Sequence, residues 1–423
     1  MQVAQGEAPA TASRRSGGYQ TLVVGLLSLN FGIVFFDRNA LNFLMTFVKP
    51  ELGLSNTQVG FIAGAFAFTW AIAAFGISRM SDLMGNRKLL LVICTLAFCA
   101  CSFLTGLAGS FLMLLGARLL MGVAEGGVMP ISHAMVASEV APEHRGLAQG
   151  VAQNLGSSFF GSFLAPIVLV WFAQQYGWRE AFYLAGIPGI LSALLIWILI
   201  KDNPPPRPVQ KAPDERGGFS AWLQAVGHAL KIRNIWVCVV LGVLLVAYLV
   251  ICWAFMQLFL TQVRGYSEGE AGLLMGVLGL SAMFCSFFVA WLSDRIGRRP
   301  IMMATPFIAV VLPLAAIYFT GSFWAMAVLF FVGWSVNGIF PLFMATVPSE
   351  SVPASQAATV FGLCMGSCEI LGGVLGPFFA GIAADAYGQI PPLWMMTGLA
   401  IVAGFVAMFL KETAPAVLAR RAA

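Results

Sequence analysis

Four charged side chains set inside otherwise apolar runs carry most of the chemistry open to this sequence: Asp37, Arg38, Arg118 and Glu125. Arg118 and Glu125 stand in Arg-Leu-Leu-Met-Gly-Val-Ala-Glu, followed by Gly-Gly-Val-Met-Pro130, within an apolar run that starts at Phe111 and is too long for a surface helix. Their seven-residue separation puts them on nearly one helical face, about 10 Å apart along the axis. A charge at the centre of a bilayer costs roughly 2.5–3.5 kcal/mol on insertion scales. Two on one face therefore imply a face turned from lipid, toward a watery cavity or toward an ion pair that only fixes packing. The second burdened run, at Asp37 and Arg38, favours the cavity. Adjacent helical residues point about 100° apart, so Asp37 and Arg38 serve different places. Asn30 shares the Asp37 face and Asn42 the Arg38 face. One face can meet the Arg118/Glu125 helix while the other lines a cavity.

A carboxylate removed from water holds its proton more readily and a nearby guanidinium opposes this, so the distance between them controls proton exchange. An anion that draws arginine charge away would favour protonation, which couples the two ligands. Arg38 suits a carboxylate because its planar fork donates two parallel hydrogen bonds; the alternative is an internal pair with Asp37 or Glu125. Glu369 has no Arg or Lys in the neighbouring second-half spans, so it is protonated, faces the cavity, or pairs across it with Arg38 or Arg118. Tyr248, Trp253, Gln257 and Asn337 in the second half, and Asn154 in the first, are weaker substrate-binding candidates. Aromatic residues at such spacing more often pack than bind.

These groups need elements to hold them, and composition decides the kind. Of 423 residues, 59% are hydrophobic and 10% charged, with a mean hydropathy of +0.87; soluble domains average about 25% charged. The bilayer is the solvent, and without barrel-like alternation the spans must be helices. Twelve runs fit, at about 20–47, 57–78, 89–107, 111–139, 146–172 and 180–200, then about 233–261, 268–292, 301–320, 323–347, 356–384 and 393–411. The expected organisation is a disordered N-terminus (1–18), a six-helix bundle (19–200), a Pro- and charge-rich linker (201–232), a second bundle (233–411) and a tail (412–423). All eight cysteines lie in spans and read as packing residues; no metal-ligand or cofactor motif is present. Of the 23 Lys and Arg, 18 fall on one side, three (Lys49, Arg179, Arg264) on the other and two within the membrane. That asymmetry places both termini in the cytoplasm and speaks for lipid contact, with no nucleic-acid role.

The halves repeat. Pro130, Ser138-Glu139, Pro142, Pro166 and Tyr176-Gly177 recur 211 residues on as Pro341, Ser349-Glu350, Pro353, Pro377 and Tyr387-Gly388. Same-sense repeats of six spans imply two bundles related by a pseudo-two-fold axis along the membrane normal, with a site between them at mid-depth.

Asp294-Arg295-Ile296-Gly297-Arg298-Arg299 resembles the loop signature of the major facilitator superfamily, and Asp82 to Lys88 its first-half copy, with Leu83 and Asn86 where basic residues are usual. Asp37-Arg38 together with Arg118-x6-Glu125 is similar to the anion:cation symporter family, whose members take organic acids inward with protons; Spinster-type lysolipid transporters share both motifs. The resemblance implies that Asp37 and Glu125 exchange protons, that Arg118 modulates them and that Arg38 engages the anion. It also implies that Asp82, Arg87, Asp294, Arg295 and Arg298 form gating loops that latch the bundles in one conformation, with carboxylates at helix N-termini. Glu369 stands where many members carry a polar amide nearby. The four prolines at 130, 166, 341 and 377 are expected kinks.

The sequence therefore implies a monomeric secondary transporter of the plasma membrane, a bacterial inner membrane. It would carry a small organic anion, a sugar acid or an aromatic or aliphatic carboxylate, with protons by alternating access. With no phosphate-binding loop and no nucleophile–base set, ATP drive and enzymatic activity are not expected. The alternatives are a Spinster-like lysolipid carrier, which needs an apolar groove opening to lipid, and a transporter-shaped nutrient sensor with a signalling extension.

Overall fold

A computed structural model describes residues 16–84, 86–141, 144–201, 227–353 and 357–422. Among these, twelve helices are long and apolar enough to cross a membrane. The first six are α1 (Gly17–Leu52), α2 (Asn56–Met84), α3 (Arg87–Gly106), α4 (Phe111–Glu139), α5 (Ala148–Tyr176) and α6 (Trp178–Leu199). The second six are α7 (Arg233–Gln262), α8 (Glu268–Ile296), α9 (Arg298–Tyr318), α10 (Phe323–Glu350), α11 (Val360–Tyr387) and α12 (Ile390–Ala407). A short α13 (Pro415–Ala422) follows. The described chain is all-α, and most of the expected linker lies outside the described residues, as do residues 1–15. α1 begins at Gly17, capped by the Ser16 side chain.

The 211-residue offset is visible in three dimensions. α5 ends at Tyr176 and α11 at Tyr387, each followed by a glycine in the positive-φ region, Gly177 (102°) and Gly388 (84°). Both helices loosen into π-helix at matched positions, Ser157–Leu164 and Cys368–Val374. Within those stretches the matched Gly161 and Gly372 take the closest backbone approach of the first helix of their own half. A Cβ at Gly161 would lie 2.3 Å from Cβ of Phe35, and one at Gly372 2.5 Å from the Val243 carbonyl.

The prolines explain the irregularity. A proline has no N–H for the carbonyl four residues earlier, and Pro166 and Pro377 each follow such a π-helical stretch. Pro341 follows a 3₁₀ segment, Trp334–Ile339, and precedes a π turn, Leu342–Thr346. Pro130 follows a break in α4 at Gly127. All four sit beside a local change of helical pitch.

The bundles meet tightly at the face opposite the termini. There Gly60 and Gly64 of α2 lie on α11, where a Cβ at Gly60 would sit 2.0 Å from the Pro377 carbonyl oxygen. Gly279 of α8 lies as closely on Ser162 of α5. Polar groups close the same face. The Asp385 carboxylate of α11 accepts the backbone N–H groups of Asn56 and Thr57 at the start of α2, both at 2.7 Å, capping a helix of the other bundle. Gln389 donates to Asn56 Oδ1 at 2.8 Å, and the rings of Phe43 (α1) and Trp253 (α7) meet edge to face at 5.7 Å.

Candidate functional site

Residues 37, 38 and 39 leave α1 toward three different neighbours, as a 100° step requires. Asp37 points into its own bundle and is fully buried. Its Oδ1 lies 2.6 Å from Ser102 Oγ of α3, which is also 2.9 Å from the Phe182 carbonyl of α6. Seven residues earlier on the same face, Asn30 Oδ1 accepts from Ser192 Oγ (2.9 Å) and faces Thr95 Oγ1 (3.4 Å). The 30/37 spacing on α1 is thus matched by 95/102 on α3. Asn39 donates to the Gly161 carbonyl of α5 at 2.9 Å, over the π-helical stretch.

Arg38 turns toward α2 and is half-buried. Its guanidinium carbon lies 4.7 Å from the Phe66 ring centroid, 5.2 Å from Trp70 and 5.1 Å from Phe35. Phe66 and Trp70, four apart on α2, present one face to it. Of the two roles open to Arg38, an internal ion pair is not made: neither Asp37 nor Glu125 comes within salt-bridge distance among the described residues.

Arg118 and Glu125 are buried, 2% and 1% exposed, and share a face of α4. One Arg118 NH group donates to the Arg38 backbone carbonyl at 3.3 Å, tying α4 to α1 beside the charged pair, and also faces Met121 Sδ. Arg118 Nε, its other terminal nitrogen and both Glu125 carboxylate oxygens find no protein hydrogen-bond partner. Arg118 lies in Coulombic range of Asp37 and Glu125, and Arg38 in that of Glu125 and Glu369. The four first-half charges therefore converge electrostatically without pairing. A structural ion pair would have closed these contacts, since an orphaned buried charge costs several kcal/mol.

Glu369 sits in the π-helical part of α11, half-buried, its Oε2 beside the bare Gly373 that faces Ala67 of α2. Of the weaker candidates, Asn42, Asn154 and Asn337 are half-buried and Trp253 is packed at the bundle interface. Two expectations need correction. Tyr248, placed by the repeat opposite Asp37, is 1% exposed and donates to the Ala309 carbonyl at 2.9 Å, inside its own bundle. Gln257 is fully buried and bonds the Glu268 carbonyl at 3.4 Å near the sealed face. Both side chains bond within their own bundle. Symmetry carries the backbone position across the repeat and leaves side-chain direction to local packing.

The loop residues also differ from expectation. Arg298 Nη1 pairs with Asp294 (2.5 Å) and bonds Ser293 (2.6 Å), while Nη2 bonds Glu350 of α10 (3.1 Å). Glu350 accepts from Thr413 Oγ1 at 2.6 Å. Asp294 lies in the last turn of α8; the carboxylate at the α9 N-terminus is Glu412, accepting from the N–H groups of Arg298 (2.7 Å) and Arg299 (3.2 Å). Arg295 stacks over Trp291 at 4.2 Å. This network joins elements of one bundle and does not latch the two together. Arg87 donates to the Ala134 carbonyl of α4 at 3.4 Å; the side chain of Asp82 lies outside the described residues.

Sequence reasoning missed Ser102, the aromatic surround of Arg38, and Glu412. The seven-residue echo on α3 and the Phe66/Trp70 pair were the available signals.

Comparisons with known proteins agree with this architecture. The chain is 25% identical over 412 residues to a Cupriavidus necator protein named as a probable sulfoacetate transporter, covering 91% of this chain and 92% of the relative. It is 28% identical over 349 residues to a probable 4-methylmuconolactone transporter of Cupriavidus pinatubonensis, covering 81% and 78%. In fold it is similar to the crystal structure of a bacterial homologue of the human lysosomal transporter Spinster, in an inward-facing, occupied conformation, with a TM-score of 0.73 and 22% identity over 96% of this chain and 98% of that one. The family model described as Major Facilitator Superfamily matches residues 27–369 and 253–422. With twelve spanning helices and a doubled architecture to place beside that match, the chain belongs to the Major Facilitator Superfamily and is a multi-pass membrane transporter, not an enzyme.

Proposed function

We propose that the chain is a proton-coupled symporter of a small organic anion, in which residues 19–200 and 233–411 rock about a site near Arg38. The observation that carries the proton assignment is the buried Asp37–Ser102–Phe182 contact. A serine hydroxyl has one proton, and a backbone carbonyl only accepts. Ser102 can give its proton to the Phe182 carbonyl and still bond Asp37 only if Asp37 is the donor, that is, protonated. When Asp37 loses its proton, Ser102 must turn away from α6 to face the carboxylate. The proton on Asp37 and the α1–α3–α6 hydrogen bonding change together, which is what coupling requires. Glu125, buried with no hydrogen-bond partner, and Arg118, buried with two of its nitrogens unfilled, supply a second proton acceptor and a charge that an arriving anion rebalances. Arg38, with its guanidinium edge unpaired, is the anion contact.

The seal at the face opposite the termini, with the Lys and Arg asymmetry, supports a conformation open to the cytoplasm and a plasma-membrane location. Purified protein in liposomes with imposed pH and voltage gradients tests the reading. Ser102→Ala should cut pH-driven accumulation of a carboxylate about tenfold, the effect of about 1.4 kcal/mol, and leave gradient-free exchange near wild type. Undiminished accumulation would remove the chain from the mechanism. If Glu125→Gln kept full accumulation, Glu125 would lose its role.

One observation favours a second reading. An apolar crevice of about 360 Å³ lies between α2, α4 and α11, lined by Phe61, Phe68, Leu119, Leu375 and their neighbours. Phe61 and Phe68 are exposed on this lipid-facing side, as a Spinster-like lysolipid carrier requires. It offers no cation for a headgroup, so carboxylate transport ranks first.

A further inference from the structure

We infer that the Arg38 site selects a monocarboxylate with a flat, apolar body and rejects polyhydroxylated acids and dicarboxylates. The inference rests on the carboxylate reading above and names the substrate class within it. Three features carry it.

The first is the surround of the guanidinium. Rings of Phe35, Phe66 and Trp70 stand within 5.2 Å of it, and no hydrogen bond given for the described residues uses the Arg38 side chain as donor. The rings hold the group by cation–π attraction and leave its N–H edge for a ligand. An oxyanion seated there meets two parallel donors while its attached body lies against aromatic edges.

The second is the wall beyond the rings. Phe66 and Trp70 belong to a small apolar cluster that is closed by half-buried Met129 of α4 and Met365 of α11, one from each bundle. Thioethers are polarisable, adapt their shape and make favourable contacts with aromatic rings. Apart from the Trp70 indole N–H, none of these side chains accepts or donates a strong hydrogen bond, and the Gln153 amide faces Met129 Sδ at 3.8 Å. A sugar acid would bury most of its hydroxyl groups here without partners, and that desolvation is uncompensated.

The third is Glu369, one helical turn beyond Met365 on α11, with its Oε2 beside Gly373 where α11 meets Ala67, the neighbour of Phe66 on α2. One substrate carboxylate takes the unpaired edge of Arg38. A second carboxylate on the same molecule would face Glu369 as a like charge, which a monoanion avoids.

The test uses the full-length protein in liposomes, with competition against labelled benzoate by unlabelled gluconate and succinate. Benzoate should be taken up, and gluconate and succinate should compete at least about tenfold more weakly. Phe66→Leu and Trp70→Leu, assayed separately with thermal unfolding as a check on folding, should each weaken benzoate several-fold and leave gluconate unchanged, narrowing the gap. Trp70→Phe keeps a ring and should retain most of the preference even if Trp70→Leu does not fold. Gluconate or succinate competing as well as benzoate would overturn the selectivity while the carboxylate reading stands. If no acid is taken up or competes, and Arg38→Gln alters nothing, the carboxylate reading itself fails.

Discussion

The two halves share a backbone and differ in what they bury. At the 211-residue offset, Asp37, Arg38, Arg118 and Glu125 of the first half correspond to Tyr248, Leu249, Leu329 and Val336 of the second. The first bundle holds charges whose hydrogen-bonding capacity is unfilled. The second holds aromatic rings in contact, Tyr248 and Trp253 each against Trp334, and its tyrosine hydroxyl is satisfied. In the loops of the second half Arg298, itself buried, is well connected, pairing with both Asp294 and Glu350. One half keeps unpaired charge ready to change state; the other, Glu369 apart, uses its polar groups to hold still.

The sharpest way to break that contrast is to write the second half's residues into the first. Arg118→Leu with Glu125→Val removes both incompletely hydrogen-bonded charges and matches the second bundle at those positions. Replacing buried ionic groups by packed apolar ones is often neutral or stabilising by about 1–4 kcal/mol, whereas removing one partner alone costs about 3–5 kcal/mol. The double variant is expected to abolish proton-driven uptake while unfolding at the same temperature or higher. Glu125→Val alone, which takes away a nearby counter-charge and leaves Arg118 buried, should unfold earlier. Uptake persisting in the double variant would show that the unpaired charge is not what separates the halves.

The fold was legible because its signals are redundant. Twelve apolar runs and a repeat of prolines and glycines at one constant offset leave few arrangements. The buried charges were legible for the opposite reason, since each is an anomaly in its run. Ser102 was not: hydroxyl side chains are common in spans and usually bond their own helix, as Thr95 does to the Leu91 carbonyl at 2.8 Å. Phe66 and Trp70 read as packing, and only the placement of α2 beside α1 turns them into a surround for Arg38. Glu412 caps a helix 114 residues away in sequence, a pairing that no local pattern announces.

A milder perturbation acts where the halves touch. Asp385 is a cap supplied by one bundle to a helix of the other, so it can hold only while that face is shut. Losing a helix N-cap costs about 0.5–2 kcal/mol, a factor of about 2–30 in the balance between closed and open forms. Asp385→Ala is therefore expected to raise the population open at that face. Spin labels on exposed Ser55 and Tyr387 would read it as a longer-distance component. An unchanged distance distribution would assign the seal to the glycine contacts alone.

The smallest effect belongs to Tyr248, and it sharpens the comparison most directly because this residue stands where Asp37 stands in the other half. Tyr248→Phe removes one hydroxyl and leaves the ring against Trp334. The Ala309 carbonyl loses a partner, which costs about 1 kcal/mol for a hydrogen bond of this kind. Thermal unfolding should move down by a few degrees at most, given about 2–4 °C per kcal/mol in chains of about 150–250 residues. Uptake kinetics and their dependence on the proton gradient should not move, because the hydroxyl faces α9 and not the other bundle. Asp37→Asn at the matching position swaps one oxygen for nitrogen, a change as small in volume, and is expected to uncouple transport from protons. If the tyrosine variant lost proton-driven uptake as well, the second bundle would share in the coupling, and the division of labour between the halves would be wrong.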